Sequence, residues 1–410
     1  MTATVVVVYT AGAASPLELA ADAEDYDLVF AAPVGALSDG LPELLAAVGD
    51  VVDVTDEAAG AAVLAARRPA GIVAFSDHDL PLAARLASRL GLRYHSESTV
   101  LAATDKDVQR RRFREAGLRV PRCRVLERPE EVVDALAAVG TPAVLKPVRG
   151  AASRNVYRLD GPQDAVRHAT EAFAAGGADR FLVEEMLVGD PSVAGPELGD
   201  YVSVELLMWH GTVAYQMLNS RLPLREPFRE CGGFLPGLLP PAVEAEVYRL
   251  AEAACRALGV ADGWTNVELK LTADGPVLIE VNARLGGFVA VLLYRSYGVE
   301  AVRMAFDVAV GRRPVAPAGG PSGVAFYYQI LPPVGEWRLA SWGGVAGLAE
   351  RSDILSVVCL AEPGDRVDWR LGTLGAIGVV EGVAKRPEAV LAAVRAIERT
   401  IADEVVFSPA

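Results

Sequence analysis

The fold is decided by a hairpin whose sequence is Trp264-Thr-Asn-Val-Glu-Leu-Lys-Leu-Thr-Ala-Asp-Gly-Pro-Val-Leu-Ile-Glu-Val-Asn-Ala-Arg284. Both arms alternate polar and apolar residues, which predicts two β-strands with one apolar and one polar face. The predicted apolar face carries Val267, Leu269, Leu271, Ile279, Val281 and Ala283, and the predicted polar face carries Glu268, Glu280, Asn282 and Arg284.

The register of this hairpin depends on its turn. A two-residue Asp-Gly loop would pair Glu268 with Val281 and mix the two faces. A three-residue loop, residues 273–275 with Gly275 in the left-handed conformation, would pair Thr272 with Pro276 and therefore Glu268 with Glu280. Only the three-residue loop keeps all the apolar residues on one side, so it is the predicted turn.

Two carboxylates would then face each other, with Cβ atoms about 4.5–5.5 Å apart. Like charges in this position destabilise a sheet unless a cation lies between them or one is protonated. The amide of Asn282, two residues along the strand, adds a neutral oxygen ligand. Carboxylates with an amide oxygen suit Mg²⁺, which also binds water and substrate phosphates. The alternative is a solvated outer face whose charges only keep the sheet soluble.

The pattern outside the hairpin predicts an α/β protein of several domains. Short β-branched runs alternate with Ala/Leu-rich helical stretches over residues 1–104, which favours a parallel sheet wrapped by helices, and Val5–Val8 is its first strand. Residues 105–186 follow a β-α-β-β-α-β order, with Thr104 as the predicted cap of the first helix. Residues 187–315 contain the hairpin, and residues 316–410 form a C-terminal extension packed on that domain. The segment between Arg221 and Pro241 is predicted as a loop.

Composition excludes several function classes. The 410 residues include 39 Lys and Arg against 53 Asp and Glu, a net charge of -14 that argues against nucleic acid or anionic membranes as partners. The four cysteines and four histidines are scattered without zinc-ligand spacing. No apolar run approaches the roughly 20 residues of a membrane span. We expect a soluble, cytoplasmic protein.

The hairpin residues resemble those of the ATP-grasp superfamily of carboxylate–amine ligases, over roughly residues 70 to 315. The sequence motif Glu-Val-Asn-Ala-Arg-Leu-Gly-Gly, which starts at Glu280, is most similar to that of the dipeptide-forming L-amino acid ligases. The resemblance implies an ATP-grasp fold: a Rossmann-like N-terminal domain, a small mobile lid and a C-terminal mixed-sheet domain. It also implies that Glu268, Glu280 and Asn282 bind two Mg²⁺ ions beside ATP.

The same resemblance assigns the rest of the nucleotide site. Lys106 and Lys146 match the two family lysines that contact ATP phosphates, and the turn at 149–153, ending at Ser153, would lay its backbone N–H groups over them. Glu184 and Leu187, with Glu185 as a neighbour, match the segment that reads adenine. The ribose-binding acid is either Asp200 or Glu205, and the sequence leaves that choice open.

The substrate side is assigned in the same way. Arg284 is implied as the catalytic residue, which clamps phosphate and then stabilises the acyl phosphate and tetrahedral adduct. Gly286, Gly287 and Phe288 would lie against an amino-acid substrate. The dipeptide ligases usually have an acid followed shortly by Gly-His before a Pro. Here Glu230 keeps the acid but Gly233 stands in place of the histidine, and Cys231 between them is interpreted as structural.

The resulting hypothesis is an ATP- and Mg²⁺-dependent ligase that forms an amide or peptide bond through an acyl phosphate, with a dipeptide antibiotic as one product class. Its partners would be small molecules, and the sequence does not distinguish a monomer from the homodimer common in the family. Two alternatives stay open: a ligase for a small acid such as formate or bicarbonate, and an inactive nucleotide-binding regulator.

Overall fold

The computed structural model describes residues 2–10 and 12–410 and begins with a parallel sheet. Its strands are ordered β3-β2-β1-β4, and Val5–Val8 in β1 is completely buried. A continuous apolar strand is typical of a parallel sheet that helices cover on both faces, so the Rossmann-like prediction is confirmed. The elements are β1 Ala3–Val8, α1 Pro16–Ala21, β2 Tyr26–Ala32, α2 Leu41–Ala46, β3 Asp50–Asp53, α3 Glu57–Ala66, β4 Gly71–Ala74, α4 Leu80–Leu90 and α5 Glu97–Thr104.

A small antiparallel sheet follows, in the order β5-β8-β6-β7. Its elements are α6 Lys106–Glu115, β5 Cys123–Leu126, α7 Val132–Val139, β6 Ala143–Pro147, β7 Tyr157–Leu159, α8 Pro162–Ala174 and β8 Phe181–Glu185. The predicted order is confirmed, but Thr104 is not the cap of α6. Asp105 caps it by accepting from Val108 N at 3.1 Å, while the Thr104 hydroxyl donates back to Val100 O as the last residue of α5.

The largest sheet has the strand order β13-β12-β9-β10-β11-β14-β18-β16. Its first half and the flanking helices are α9 Pro191–Ala194, β9 Tyr201–Trp209, β10 Thr212–Arg221, β11 Gly232–Leu235, α10 Pro241–Leu258, β12 Gly263–Thr272, β13 Gly275–Asn282, α11 Val289–Tyr297 and α12 Ala301–Ala309. The segment predicted as a loop between Arg221 and Pro241 contains the strand β11. The glycines of β11 let this strand fit between β10 and β14. Composition alone does not distinguish such a strand from the predicted loop.

The C-terminal residues extend this sheet and add a second, three-stranded one. The remaining elements are β14 Val324–Ile330, β15 Glu336–Ser341, β16 Ile354–Cys359, β17 Arg366–Asp368, β18 Gly378–Ala384, α13 Pro387–Glu404 and β19 Val406–Pro409. Strands β14, β18 and β16 continue the large sheet, whereas β17, β15 and β19 form a separate three-stranded sheet. The four domain boundaries given above stay a prediction, and this sheet is continuous across the one at residue 315.

The two faces of the large sheet differ in polarity. On one face, apolar residues of β9 and β12, such as Val204, Leu206 and Val267, pack on helix α10 in one buried cluster. On the other face, Glu205 lies opposite Asn266 and Ser203 lies opposite Glu268. Because alternate residues of a strand point to opposite sides, the apolar contact with α10 fixes the polar side chains on the free face.

The hairpin register confirms the predicted pairing of Glu268 with Glu280, but the predicted turn is wrong. Thr272 pairs with Gly275, so only two residues form the loop, and Leu271 pairs with Pro276. A β-bulge at Ile279 then inserts one extra residue and restores the Glu268–Glu280 pair. The bulge also replaces Ile279 by Leu278 in the core, since Leu278 belongs to the buried cluster and Ile279 does not.

A turn in the C-terminal part of the chain contacts the four-stranded antiparallel sheet β5-β8-β6-β7. Thr373 N donates to Ala152 O at 2.9 Å, and Trp369 packs its edge on the ring of Tyr157. Gly372, with φ of 62°, lies against the same carbonyl, where an added Cβ would be 1.9 Å from Ala152 O. Only glycine therefore fits this approach without a shift of the backbone. Within the described residues, no helix combines the length and apolarity that a bilayer span requires.

Candidate active site

The centre of the candidate site is the pair Glu268 and Glu280 on the polar face of the large sheet. Burial, with the charges of Glu230 and Glu280 nearby, raises the pKa of Glu268 to about 8. Burial also acts to raise the pKa of Glu280, but the charges of Lys106 and Lys146 outweigh it and hold that pKa below its usual value. The pKa values of the two adjacent carboxyls are therefore shifted in opposite directions, because Glu280 is paired directly with Lys106 while Arg221 and Arg284 offset the burial of Glu268 only in part.

Lys106 is the cation next to Glu280. It lies in the first turn of α6, and its Nζ is 2.7 Å from Glu280 Oε1 and donates to Gly150 O at 2.7 Å. The Lys106 side chain is only 8% exposed. The structure thus joins three predicted features in one place: the first lysine, the acidic pair and the start of the glycine-containing turn.

Lys146 lies at the end of β6 and binds a different carboxylate. Its Nζ is 2.6 Å from Glu184 Oε2, and Arg110 Nε donates to Glu184 Oε1 at 2.6 Å. These two cations, acting against the effect of burial, lower the pKa of Glu184 to about 2. With both oxygens engaged, Glu184 holds Lys146 in place, and its predicted contact with adenine stays a prediction.

Arg110 is a functional candidate that sequence reasoning missed. Its side chain is completely buried and also donates to Ile279 O, the bulged residue of β13, at 2.5 Å. Arg110 follows Lys106 by four residues on α6, so both point to the same side of the helix. That spacing is the signal that could have identified it.

The remaining residues predicted to bind the base lie at the C-terminal end of strand β8. Glu185 accepts from Arg122 Nε at 3.0 Å and is partly exposed. Leu187 follows the end of β8 and is half-buried. Both positions are compatible with a hinge segment, and their contact with a base stays a prediction.

The structure separates the two candidates for the ribose-binding acid. Asp200 is partly exposed and pairs with Lys270, whose Nζ is 2.6 Å from Asp200 Oδ1. Glu205 is 0% exposed, accepts from Asn266 Nδ2 at 2.5 Å and from Gly286 N at 3.1 Å, and has a pKa raised by burial. Both oxygens of Glu205 are thus engaged inside the protein, whereas Asp200 is the more accessible acid, and the choice of the ribose-binding acid stays a prediction.

Glu205 instead supports the loop that carries Gly286, Gly287 and Phe288. A Cβ on Gly286 would be 2.7 Å from Glu205 Oε1, so glycine is required for this contact. Phe288 has φ of 62° and stacks on Tyr327 with ring centroids 4.3 Å apart. Gly287 has open space around its Cα. The loop therefore presents backbone and one aromatic face toward the polar side of the sheet.

Arg284 is anchored by a residue that sequence reasoning missed, Asp77. Arg284 Nε and one terminal nitrogen donate to Asp77 Oδ2 at 3.0 and 2.6 Å. Asp77 Oδ1 is buried and has no hydrogen-bond partner in the described part of the chain. Asp77 follows β4 at the carboxyl end of a parallel strand, where α/β proteins commonly bind ligands, and this position was the available signal.

Glu230 lies beside the acidic pair and accepts from Arg221 at 3.3 Å. Its neighbour Cys231 is buried and its Sγ donates to Pro223 O at 3.2 Å. Burial raises the pKa of the Cys231 thiol to about 11, so it stays protonated and unreactive at neutral pH.

The last predicted residue, Ser153, lies in the turn after β6 in a left-handed conformation with φ of 56°. Ala152 before it is left-handed as well, and its carbonyl accepts from the C-terminal Thr373. The turn thus starts at the Lys106 contact to Gly150 and is held from the other side by the C-terminal turn. A contact of this turn with phosphate stays a prediction.

The donor set fits a hard cation that shares substrate oxygens. Asn282 Nδ2 donates to Asn266 Oδ1 at 3.3 Å, which leaves the Asn282 oxygen as its ligating atom. Burial, and then the charges of Glu230 and Glu280, raise the pKa of Glu268, and a bound divalent ion would favour its ionised form. Among the described residues, no group of three or more His, Cys, Asp or Glu side chains could hold a metal by itself. A bound Mg²⁺ would therefore take its other ligands from Asn282, water and phosphate.

Part of the chain is similar to a known domain family and to known enzymes. Residues 103–288 match the ATP-grasp domain family. Carnosine synthase 1 from Mus musculus is 29% identical over 270 residues, which cover 60% of this chain and 31% of the relative. D-alanine–D-alanine ligase from Cupriavidus metallidurans is 31% identical over 210 residues, covering 49% of this chain and 61% of that enzyme. The chain thus matches less than two thirds of the length of either relative.

Solved structures extend the likeness to the whole chain. The crystal structure of an L-amino acid ligase from Bacillus licheniformis has a TM-score of 0.77 and 20% identity, and covers 100% of this chain and 99% of its own. At this identity the match shows the fold, which agrees with the four-sheet arrangement described above.

Proposed function

We propose that this protein, whose residues 103–288 form an ATP-grasp domain, is an ATP- and Mg²⁺-dependent ligase that joins an amino-acid carboxylate to an amine. The observation that carries the proposal is the meeting of Glu268, Glu280 and Lys106 on one polar sheet face, with Lys146 near enough to lower the pKa of Glu280. Such a face can neutralise a polyphosphate, and the similarity to enzymes named as synthases and ligases favours amide-bond formation.

In the proposed reaction, a carboxylate oxygen attacks the γ-phosphorus of ATP and ADP leaves. The amine then attacks the acyl carbon, and phosphate departs with the former carboxylate oxygen. The enzyme contributes position and charge neutralisation, since neither step needs a covalent bond to the protein. Mg²⁺, when bound, would supply Lewis-acid neutralisation of the phosphate oxygens.

The side chains have distinct proposed roles. Lys106 and Lys146 would bind the phosphates, and Glu268, Glu280 and Asn282 would hold the metal, with two ions expected. Arg284, kept in place by Asp77, would stabilise charge on the transferred phosphoryl group and on the tetrahedral adduct. Each role follows from the charge of the group and from its place on or next to the polar face of the large sheet.

The test is to incubate the protein with ATP, Mg²⁺ and pools of amino acids and to measure phosphate release. We expect release that depends on the amino acid and is lost in Glu280→Gln. The fold should survive this substitution, because Lys106 keeps its bond to Gly150 O and Glu268 loses a repulsive neighbour. Glu336→Gln, an exposed glutamate on β15, is the matched control.

Three results would contradict the proposal. Unchanged ADP production in Glu280→Gln would refute the metal site. Phosphate release that needs bicarbonate or formate, and no amino acid, would assign the chain to a different substrate class. ATP binding without turnover would make the protein a regulator.

A further inference from the structure

Asn219, on strand β10, is a buried polar residue that the proposed mechanism does not use. Its side chain is 0% exposed, yet neither Nδ2 nor Oδ1 has a hydrogen-bond partner among the described residues. A buried carboxamide without partners destabilises a folded protein, so such groups usually have a ligand or a special role. Across the ladder, Asn219 pairs with Ser203 of β9, which is also the residue opposite Glu268. Asn219 therefore lies on the polar face, two strands from the acidic pair.

The space for Asn219 exists because residue 233 is glycine. A Cβ on Gly233 would be 2.9 Å from Asn219 Oδ1 and 2.8 Å from Ser220 O. Any larger side chain at this position would push the carboxamide aside. In this chain the carboxamide of Asn219 therefore occupies the space that a side chain at position 233 would fill.

The neighbours of Asn219 form a buried polar cluster. Arg221, two residues along β10, donates to Ser203 Oγ at 2.9 Å and to Tyr327 Oη at 2.7 Å, and pairs with Glu230. The ring of Phe288 stacks on Tyr327, so the loop that includes Gly286 and Gly287 packs against this cluster. The cluster thus combines an acid, an arginine and a carboxamide without a partner among the described residues, next to that loop.

We infer that Asn219 is a specificity-determining residue, which recognises the amino group of the carboxylate-supplying amino acid together with Glu230. This inference rests on the proposed function and specifies its substrate. An ammonium group donates hydrogen bonds, which the free Oδ1 of Asn219 and the carboxylate of Glu230 can both accept. The substrate carboxylate would then point along the sheet toward the acidic pair, where the phosphates are expected.

The test compares an amino acid with the acid that lacks its amino group, such as alanine with propionate, using the best substrate from the pool assay. In the wild type, kcat/KM should favour the amino acid. In Asn219→Leu, which is close in shape, this preference should fall by about tenfold to a hundredfold, the usual effect of one unmade hydrogen bond to a charged group. Gln216→Leu removes an exposed carboxamide from the same strand and should leave the preference unchanged.

Stability gives a second readout that does not depend on turnover. Because the carboxamide has no partner in the ligand-free protein, Asn219→Leu should unfold at a temperature equal to or above that of the wild type. Equal losses of kcat/KM for both acids, or a clear drop in the unfolding temperature, would show a merely structural role and overturn the inference. Asn219→Ser, a smaller polar variant, is the second substitution and should also lower the preference. A wild type without turnover of any carboxylic acid would refute the proposed function itself, and the inference with it.

Discussion

The buried pair between Arg110 and Glu184 gives a quantitative prediction about what holds Lys146 in place. The guanidinium makes two hydrogen bonds to the carboxylate, at 2.6 and 3.2 Å, and the two side chains are 0% and 5% exposed. Arg110→Met removes the charge, keeps most of the side-chain volume, and leaves Glu184 with Lys146 alone. Breaking a buried pair by removal of one partner costs about 3–5 kcal/mol. We expect that loss in the free energy of unfolding, measured by urea denaturation at pH 7.

The four-stranded antiparallel sheet that contains Glu184 also offers a matched control. Arg122 pairs with Glu185, but these side chains are 64% and 39% exposed. An exposed pair contributes about 0–1 kcal/mol, so Arg122→Met should be close to the wild type. Equal destabilisation by the two substitutions would refute the assignment of a special role to Arg110.

The acid limb of the stability curve checks the charge argument. The pKa of Glu184 is about 2 in the folded protein against an ordinary 4.5. A lowered folded pKa adds stability above the unfolded pKa, and that stability is lost as pH falls from about 4.5 toward 2. Without Arg110 the folded pKa moves back toward its ordinary value, so this acid-dependent loss should shrink in Arg110→Met. A curve of unchanged shape would contradict the reasoning.

Two further predictions concern the acidic pair and the C-terminal turn. Because the pKa of Glu268 is raised to about 8, Mg²⁺ must displace a proton from this carboxyl group. The apparent Mg²⁺ affinity in phosphate-release assays should therefore rise with pH up to about 8 and then level off. An affinity that stays constant from about pH 6 to 9 would contradict this. For the same reason the ligand-free protein should lose stability as pH rises from 4.5 to about 8, since its folded state binds that proton more tightly. Gly372→Ala places a Cβ 1.9 Å from Ala152 O, so it should displace the C-terminal turn and raise the KM for ATP severalfold. Gly347→Ala is the control and should not change the KM, because there is open space around that Cα. Equal KM values for the two variants would refute a role for the contact between the C-terminal turn and Ala152.

Local periodicity explains what could be predicted of the hairpin. The alternation of polar and apolar residues requires Glu268 and Glu280 on one face, and the structure pairs them. The turn was predicted wrongly because a strict period of two leaves no place for a bulge. The bulge at Ile279 shifts the pattern by one residue, so Leu278 enters the core instead.

Long-range charge partners explain what could not be predicted. Arg110 and Glu184 are 74 residues apart in the chain, and Asp77 and Arg284 are 207 apart. Each residue alone resembles a surface charge, and only the fold brings the partners together. Glu205 is a further case, because its contact with Gly286 N, 81 residues along the chain, cannot be read from the local sequence.

The most direct test of the central claim follows one oxygen atom. An amino acid labelled with ¹⁸O in its carboxylate is incubated with the protein, ATP, Mg²⁺ and an acceptor amine, and the released phosphate is analysed by mass spectrometry. If the carboxylate attacks the γ-phosphate, each phosphate carries one ¹⁸O from the amino acid. Phosphate free of the label, or pyrophosphate with AMP in place of ADP, would contradict the account.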